Sequence, residues 1–125
     1  MLREAGLEGR VLMQDLWAEA RAYMAALDEE LARCRSCGAQ LAENERAYRV
    51  ALACEELRLK EEGRPVSIIG DVARGVPEIA ELKCARDCSE AFYKASTEAI
   101  NVLKLKLRTV NEEMGREWNS GSDGW

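Results

Sequence analysis

Glu61-Glu62-Gly63-Arg64-Pro65-Val66-Ser67-Ile68-Ile69-Gly70-Asp71-Val72-Ala73-Arg74-Gly75-Val76-Pro77 decides the fold of this chain. Both prolines and three of the nine glycines fall within it, and long proline-free segments run on either side. Gly63 has the place of a left-handed cap ending one helix, with Pro65 just beyond. Ser67 has the place of an N-cap for a short helix, Ile68 to Arg74, which Gly75 closes. Pro77 then falls in the first turn of a further helix, followed by Glu78 and Glu81, which suit the positive end of its dipole. The stretch reads as an elbow between two helical arms, with Val66, Ile68, Ile69 and Val72 plugging the end of the bundle.

The first arm is expected to begin between Gly9 and Leu12, because Gly6 and Gly9 weaken a helix upstream. Apolar residues then recur at Met13, Leu16, Ala20, Tyr23, Leu27, Leu31 and Cys34, in steps of three and four, and resume at Leu41, Tyr48, Leu52 and Leu59. The weak point is Gly38, which costs about 1 kcal/mol against alanine in a helix interior. Two alternatives follow: a continuous first arm, or a second turn near Gly38 that yields a third helix. The second arm repeats the rhythm at Ile79, Leu82, Ser89, Tyr93, Ile100, Leu103, Leu107, Val110, Met114 and Trp118. A flanking row, Cys84, Cys88, Phe92, Ala95, Ala99 and Val102, widens that stripe enough to contact more than one neighbouring helix. The fold class is therefore all-α: a long, coiled-coil-like antiparallel helical hairpin with a short helix in the elbow. Residues 1–118 form one domain (arm 1 about 10–62, elbow 63–76, arm 2 77–118), and 119–125 read as a disordered tail.

Composition agrees. A chain of 125 residues with 33% charged side chains and abundant Ala, Glu, Leu and Arg suits long helices. A hairpin of this kind buries a thin core, for which self-association is the usual remedy. The net charge of −5 is evenly spread: residues 1–60 carry nine basic and eleven acidic side chains, residues 61–125 nine and twelve. Generic nucleic-acid binding through phosphate neutralisation is therefore not favoured. No apolar run reaches the roughly 20 residues that span a bilayer. Five cysteines, an odd number in no evident disulfide framework, point to a reducing, cytoplasmic setting. Histidine, the commonest general base and metal ligand, is absent.

Cys34-Arg-Ser-Cys37 and Cys84-Ala-Arg-Asp-Cys88 invite comparison with two halves of a zinc site. If the arms fold back around residues 69–70, facing residues have numbers summing to about 139. Cys84 then faces Cys54, Cys34 faces Lys104, and the two cysteine pairs lie about 30 Å apart at 1.5 Å per residue. No metal is expected on that geometry, and Cys54, Cys84 and Cys88 are read as small core residues.

Val66 to Val76 also resembles the start of a helix-turn-helix, but the helix that follows is long and opens with acidic residues. The sharper binding candidates are basic. Lys60, Arg64 and Arg74 gather at the elbow near Ser67 and Asp71, where a helix start and arginines could hold an anion. Lys104 and Arg108 share a face of the second arm. A phosphate-bearing small molecule or a nucleic-acid strand would suit these groups. No phosphate-cradling glycine loop and no catalytic constellation is present, so neither an enzyme nor a cofactor is expected.

From Tyr48 onward the wording itself forms a pattern. Tyr48-Arg-Val-Ala-Leu, the run from Glu62 to Gly75, Glu78-Ile-Ala-Glu-Leu-Lys83, Tyr93-Lys, Glu98-Ala-Ile-Asn101 and Arg116-Glu-Trp118 resemble small helical proteins encoded by phages and prophages of Gram-positive bacteria. The resemblance covers about residues 47–118, is densest at the elbow and does not include the cysteines. It implies non-catalytic binding to a replication or recombination protein, a host-defence component or a signalling nucleotide. The expectation from sequence is a homo-oligomeric accessory protein with a host or phage protein as partner. A nucleic-acid-binding protein is the alternative.

Overall fold

The computed structural model describes residues 2–122, with side chains from 12 to 121. Three helices follow one another: α1 (Leu2–Glu61), α2 (Val66–Arg74) and α3 (Pro77–Ser122). There is no strand among the described residues, and α1 and α3 pack as an antiparallel hairpin.

Helix α1 passes through Gly38 without interruption, so the second turn does not form. The ring of Tyr93 packs over that glycine: a Cβ there would lie 3.2 Å from Tyr93 Cε2. Two ends differ from expectation. Helix α1 already holds at Leu2, because Leu, Arg, Glu and Ala around Gly6 and Gly9 are strong helix formers and propagation adds one hydrogen bond per residue. Helix α3 continues four residues past Trp118, so residues 119–122 are helical, and residues 123–125 of the expected tail lie outside the described residues.

The packing divides into two units, residues 1–32 with 97–125 and residues 33–96. In the first, Leu16 and Ala20 of α1 meet Val110 of α3, with Tyr23, Leu107 and Met114 around them. Lys106 extends its ammonium over the Tyr23 ring at 5.9 Å, and the Tyr23 hydroxyl donates to Glu19. The buried and half-buried rhythm on α1 runs Leu16, Ala20, Tyr23, Leu27, Glu30, so Glu30, and not Leu31, takes the seam position. Leu31 joins Trp17 and Met24 in an exposed row with a spacing of seven. Trp118, expected on the stripe, is 73% exposed.

The second unit contains the elbow. Gly63 has φ +83°, and its N–H donates to Lys60 O while that of Arg64 donates to Leu59 O, the paired bonds of a Schellman cap. Pro65, not Ser67, is the N-cap of α2: its own dihedrals supply the turn, its carbonyl accepts the Ile68 N–H, and no side-chain cap bond forms. Ser67 therefore lies inside the first turn. Gly75 closes α2 in a right-handed conformation, its N–H shared between Asp71 O and Val72 O. After Val76, whose carbonyl accepts from Ile79 and Ala80, α3 is under way at Pro77 as expected.

Ile69 and Ala73 share one face of α2 and pack on Leu59, with Leu52 beside them. Only Ile69 of the four expected apolar plugs is buried; Val66, Ile68 and Val72 face outward. Because α2 lies along the last turns of α1, α3 starts lower than a symmetric fold-back allows. Gly38 meets Tyr93, Glu45 meets Arg86 and Tyr48 meets Lys83, each pair summing to 131 and not 139. Pro77 is thus level with Cys54, and α1 runs about seven residues, roughly 10 Å, beyond it.

This register moves the cysteines. Cys54, Cys84 and Cys88 are all exposed, which overturns the core reading, and Cys54 does not face Cys84. Cys34 and Cys37 are half-buried on the seam side of α1. In the register of 131, Cys34 and Cys84 are offset by about 13 residues, or ~20 Å along the axis, against the expected ~30 Å, and Cys34 and Cys37 are half-buried while Cys84 and Cys88 are exposed. Among the described residues, no three His, Cys, Asp or Glu side chains converge as a metal site would require.

Much of the seam in this unit is polar. The Asn44 amide donates to Ser89 Oγ at 2.5 Å and to Ala85 O at 3.3 Å, while Ser89 Oγ donates to Ala85 O. A polar pair in a coiled-coil seam fixes register at some cost in stability. No described helix is long and apolar enough to cross a membrane.

Candidate binding site at the elbow

Two clefts open in the elbow unit. The first, about 440 Å³, lies between the end of α1 (Ala53, Glu56, Leu57, Lys60) and α2 (Val66, Ile69, Gly70). Its position follows from the packing: Ile69 anchors α2 on Leu59, and the small Gly70 and Ala53 leave room on one side of that contact. Its walls are apolar, with one carboxylate and one ammonium at the edge. Leu57 and Val66, which line it, are 59% and 79% exposed.

The second cleft, about 370 Å³, is polar. Arg49 and Glu45 with Tyr48 and Leu52 line it from α1, Arg74 from α2, and Lys83 and Arg86 from α3. Four cations surround one carboxylate, but that carboxylate is already engaged. Glu45 accepts from Arg49 at 2.6 Å and from Arg86, and these hydrogen bonds hold its carboxyl below the usual range. Arg86 also donates to Asp87 and Glu90, so its guanidinium is held still more firmly in the charged form. Lys83 donates to Asp87 at 2.8 Å and stands over the Tyr48 ring at 5.6 Å. A phosphate entering this cleft would have to displace Glu45 from both arginines. The Glu45–Arg86 pair ties α1 to α3, and Arg74 of α2 lines the same cleft.

The basic residues expected at the elbow divide between these clefts and the surface around them. Lys60 borders the apolar groove, whereas Arg74 borders the ion-paired cleft. Arg64 lies 3.9 Å from Glu62, and Arg74 lies 3.5 Å from Asp71, itself highly exposed. Ser67 is exposed in the first turn of α2. Lys104 and Arg108 are exposed on α3 in the other unit. Sequence reasoning missed Arg49, Lys83 and Arg86. The signal was present as i,i+4 acid–base spacing (Glu45 with Arg49, Lys83 with Asp87, Arg86 with Glu90), but their convergence needs the register of 131. Cys84 is one turn before Cys88, and its charge, followed by its hydrogen bond, pushes the Cys88 thiol up. No family model, curated protein or solved structure matches this chain.

Proposed function

We propose that this chain is a non-catalytic, self-associating helical binding protein that takes a protein partner at the elbow. The observation that carries this reading is the apolar groove between α1 and α2, with Leu57 and Val66 exposed beside it and Glu56 and Lys60 at its edge. Aliphatic side chains held outward on a capped, two-sided corner suit an apolar segment of a protein, flanked by a residue of each charge. The neighbouring cations are a poorer fit to phosphate, since Arg49, Arg64, Arg74, Lys83 and Arg86 each stand beside a carboxylate. The resemblance of residues 47–118 to phage- and prophage-encoded helical proteins supports an accessory role, with a host-defence component or a replication or recombination protein as the target class.

The test compares the wild type with Leu57→Glu/Val66→Glu in pull-downs from infected host cells. The variant is expected to keep its helical circular dichroism and its self-association while losing the partner. A partner retained by the variant overturns the assignment to this groove. Binding to DNA or RNA that weakens with salt and disappears in Lys60→Ala/Arg64→Ala would favour the nucleic-acid alternative instead.

A further inference from the structure

Helix α3 carries two apolar seams, and α1 covers one. Ile79, Ser89, Ser96, Ile100 and Val110 are buried on the first. The second is Ala85, Cys88, Phe92, Ala95, Ala99 and Val102, at steps of three, four, three, four and three, the same coiled-coil rhythm on another side of the same helix. None of the six is charged. Ala99 is half-buried and the other five are exposed, Phe92 to 67%.

We infer that this second seam is the self-association surface, and that a second copy of the chain packs on it with its own α3 antiparallel. The inference rests on the self-association in the function proposed above. Two observations select that occupant. The seam is complementary to itself in volume. Antiparallel pairing with residue numbers summing to 187 sets Phe92 against Ala95, Cys88 against Ala99 and Val102 against Ala85, each layer placing a larger side chain on an alanine. This is an isologous two-fold contact, in which every layer occurs twice.

The charges agree as well. In the same register the layer just outside the seam sets Glu81 against Lys106, an ion pair made twice, while Cys84 meets Leu105 on one flank. A parallel pairing would instead stack Phe92 on Phe92, leave alanine against alanine, and bring Glu81 to Glu81 and Lys106 to Lys106. In the single chain Lys106 lies over the Tyr23 ring and is exposed as a residue.

Sedimentation equilibrium of the full chain is expected to show a dimer. Phe92→Glu/Ala95→Glu is expected to raise its dissociation constant at least a hundredfold with helicity unchanged. Ala99→Cys is expected to form a disulfide-linked dimer on mild oxidation through Cys88 of the second copy, and Cys88→Ser/Ala99→Cys to lose most of it. Glu81→Lys should weaken the dimer, and adding Lys106→Glu should restore it. A dimer that survives Phe92→Glu/Ala95→Glu overturns this surface while leaving self-association standing. A wild type that stays monomeric at about 100 µM overturns both.

Discussion

Replacing Leu59 by alanine tests whether α2 is held by the contact described. Leu59 is 2% exposed and packs on Ile69, Ala73 and Leu52, so it is the main tie between the end of α1 and the elbow helix. Removing three carbon groups at about 0.8 kcal/mol each forfeits about 2.4 kcal/mol of transfer free energy. A rigid cavity would take the loss toward about 5 kcal/mol. Here the adjoining groove is open to solvent, so the site can relax and the lower part of the range applies, about 3 kcal/mol. The assay is urea denaturation followed by circular dichroism, comparing midpoints at constant slope. Leu57→Ala, two residues away but 59% exposed, is the control and should stay within about 0.5 kcal/mol of wild type. Amide exchange in α2 should accelerate in Leu59→Ala before that in the rest of the chain. A loss below about 1 kcal/mol, or equal losses for the two variants, would refute the idea that Leu59 anchors the elbow.

Gly63→Ala should destabilise by about 1 kcal/mol because of its φ of +83°, although a methyl group there would meet no atom within 4 Å. Gly115→Ala, in an open helical position, should stabilise by about 1 kcal/mol, and thermal melts give both signs. Asn44→Leu should leave the chain helical but loosen its pairing, seen as broadened or doubled amide signals for residues near Ser89, because the bonds that fix register are gone. Glu43, Glu45, Glu55, Asp87 and Glu90 all have carboxyls held below their ordinary values, chiefly by hydrogen bonds from Arg46, Arg49, Arg58, Lys83 and Lys94 respectively. Folded values lower than unfolded ones mean stability that is present above the unfolded carboxylate range and lost as pH falls through the folded values. The melting temperature should therefore hold from about pH 7 to about 5 and drop below about 4, and Glu45→Gln should flatten that drop.

The helices and the elbow were legible because their signals are local. Gly63, Pro65, Gly75 and Pro77 act within a turn of themselves, and the steps of three and four survive at nearly every position of α3 from Ile79 to Met114. The register was not legible. It depends on α2 lying against Leu59, a packing choice between residues ten apart that shifts every facing pair by about eight in their sum. That one shift carried Cys54 away from Cys84 and brought Arg49 and Arg86 together on Glu45. The seam choice at Leu31 failed for a related reason: hydrophobicity favoured leucine, while the heptad rhythm gave the position to Glu30. At the elbow, basic side chains were visible in the sequence, but Arg64 and Arg74 stand beside Glu62 and Asp71, and the apolar groove beside Lys60 exists only once α2 is in place.

The exposed indoles also determine what can be seen of this protein in solution. Trp17 and Trp118 both belong to the unit built from residues 1–32 and 97–125, and residues 33–96 contain no tryptophan. Trp17 and Trp118 already face water in the folded chain, so their emission starts red-shifted and moves little on unfolding. A tryptophan fluorescence melt therefore passes over the elbow and its groove, whose unit offers Tyr48 and Tyr93 as its emitting side chains.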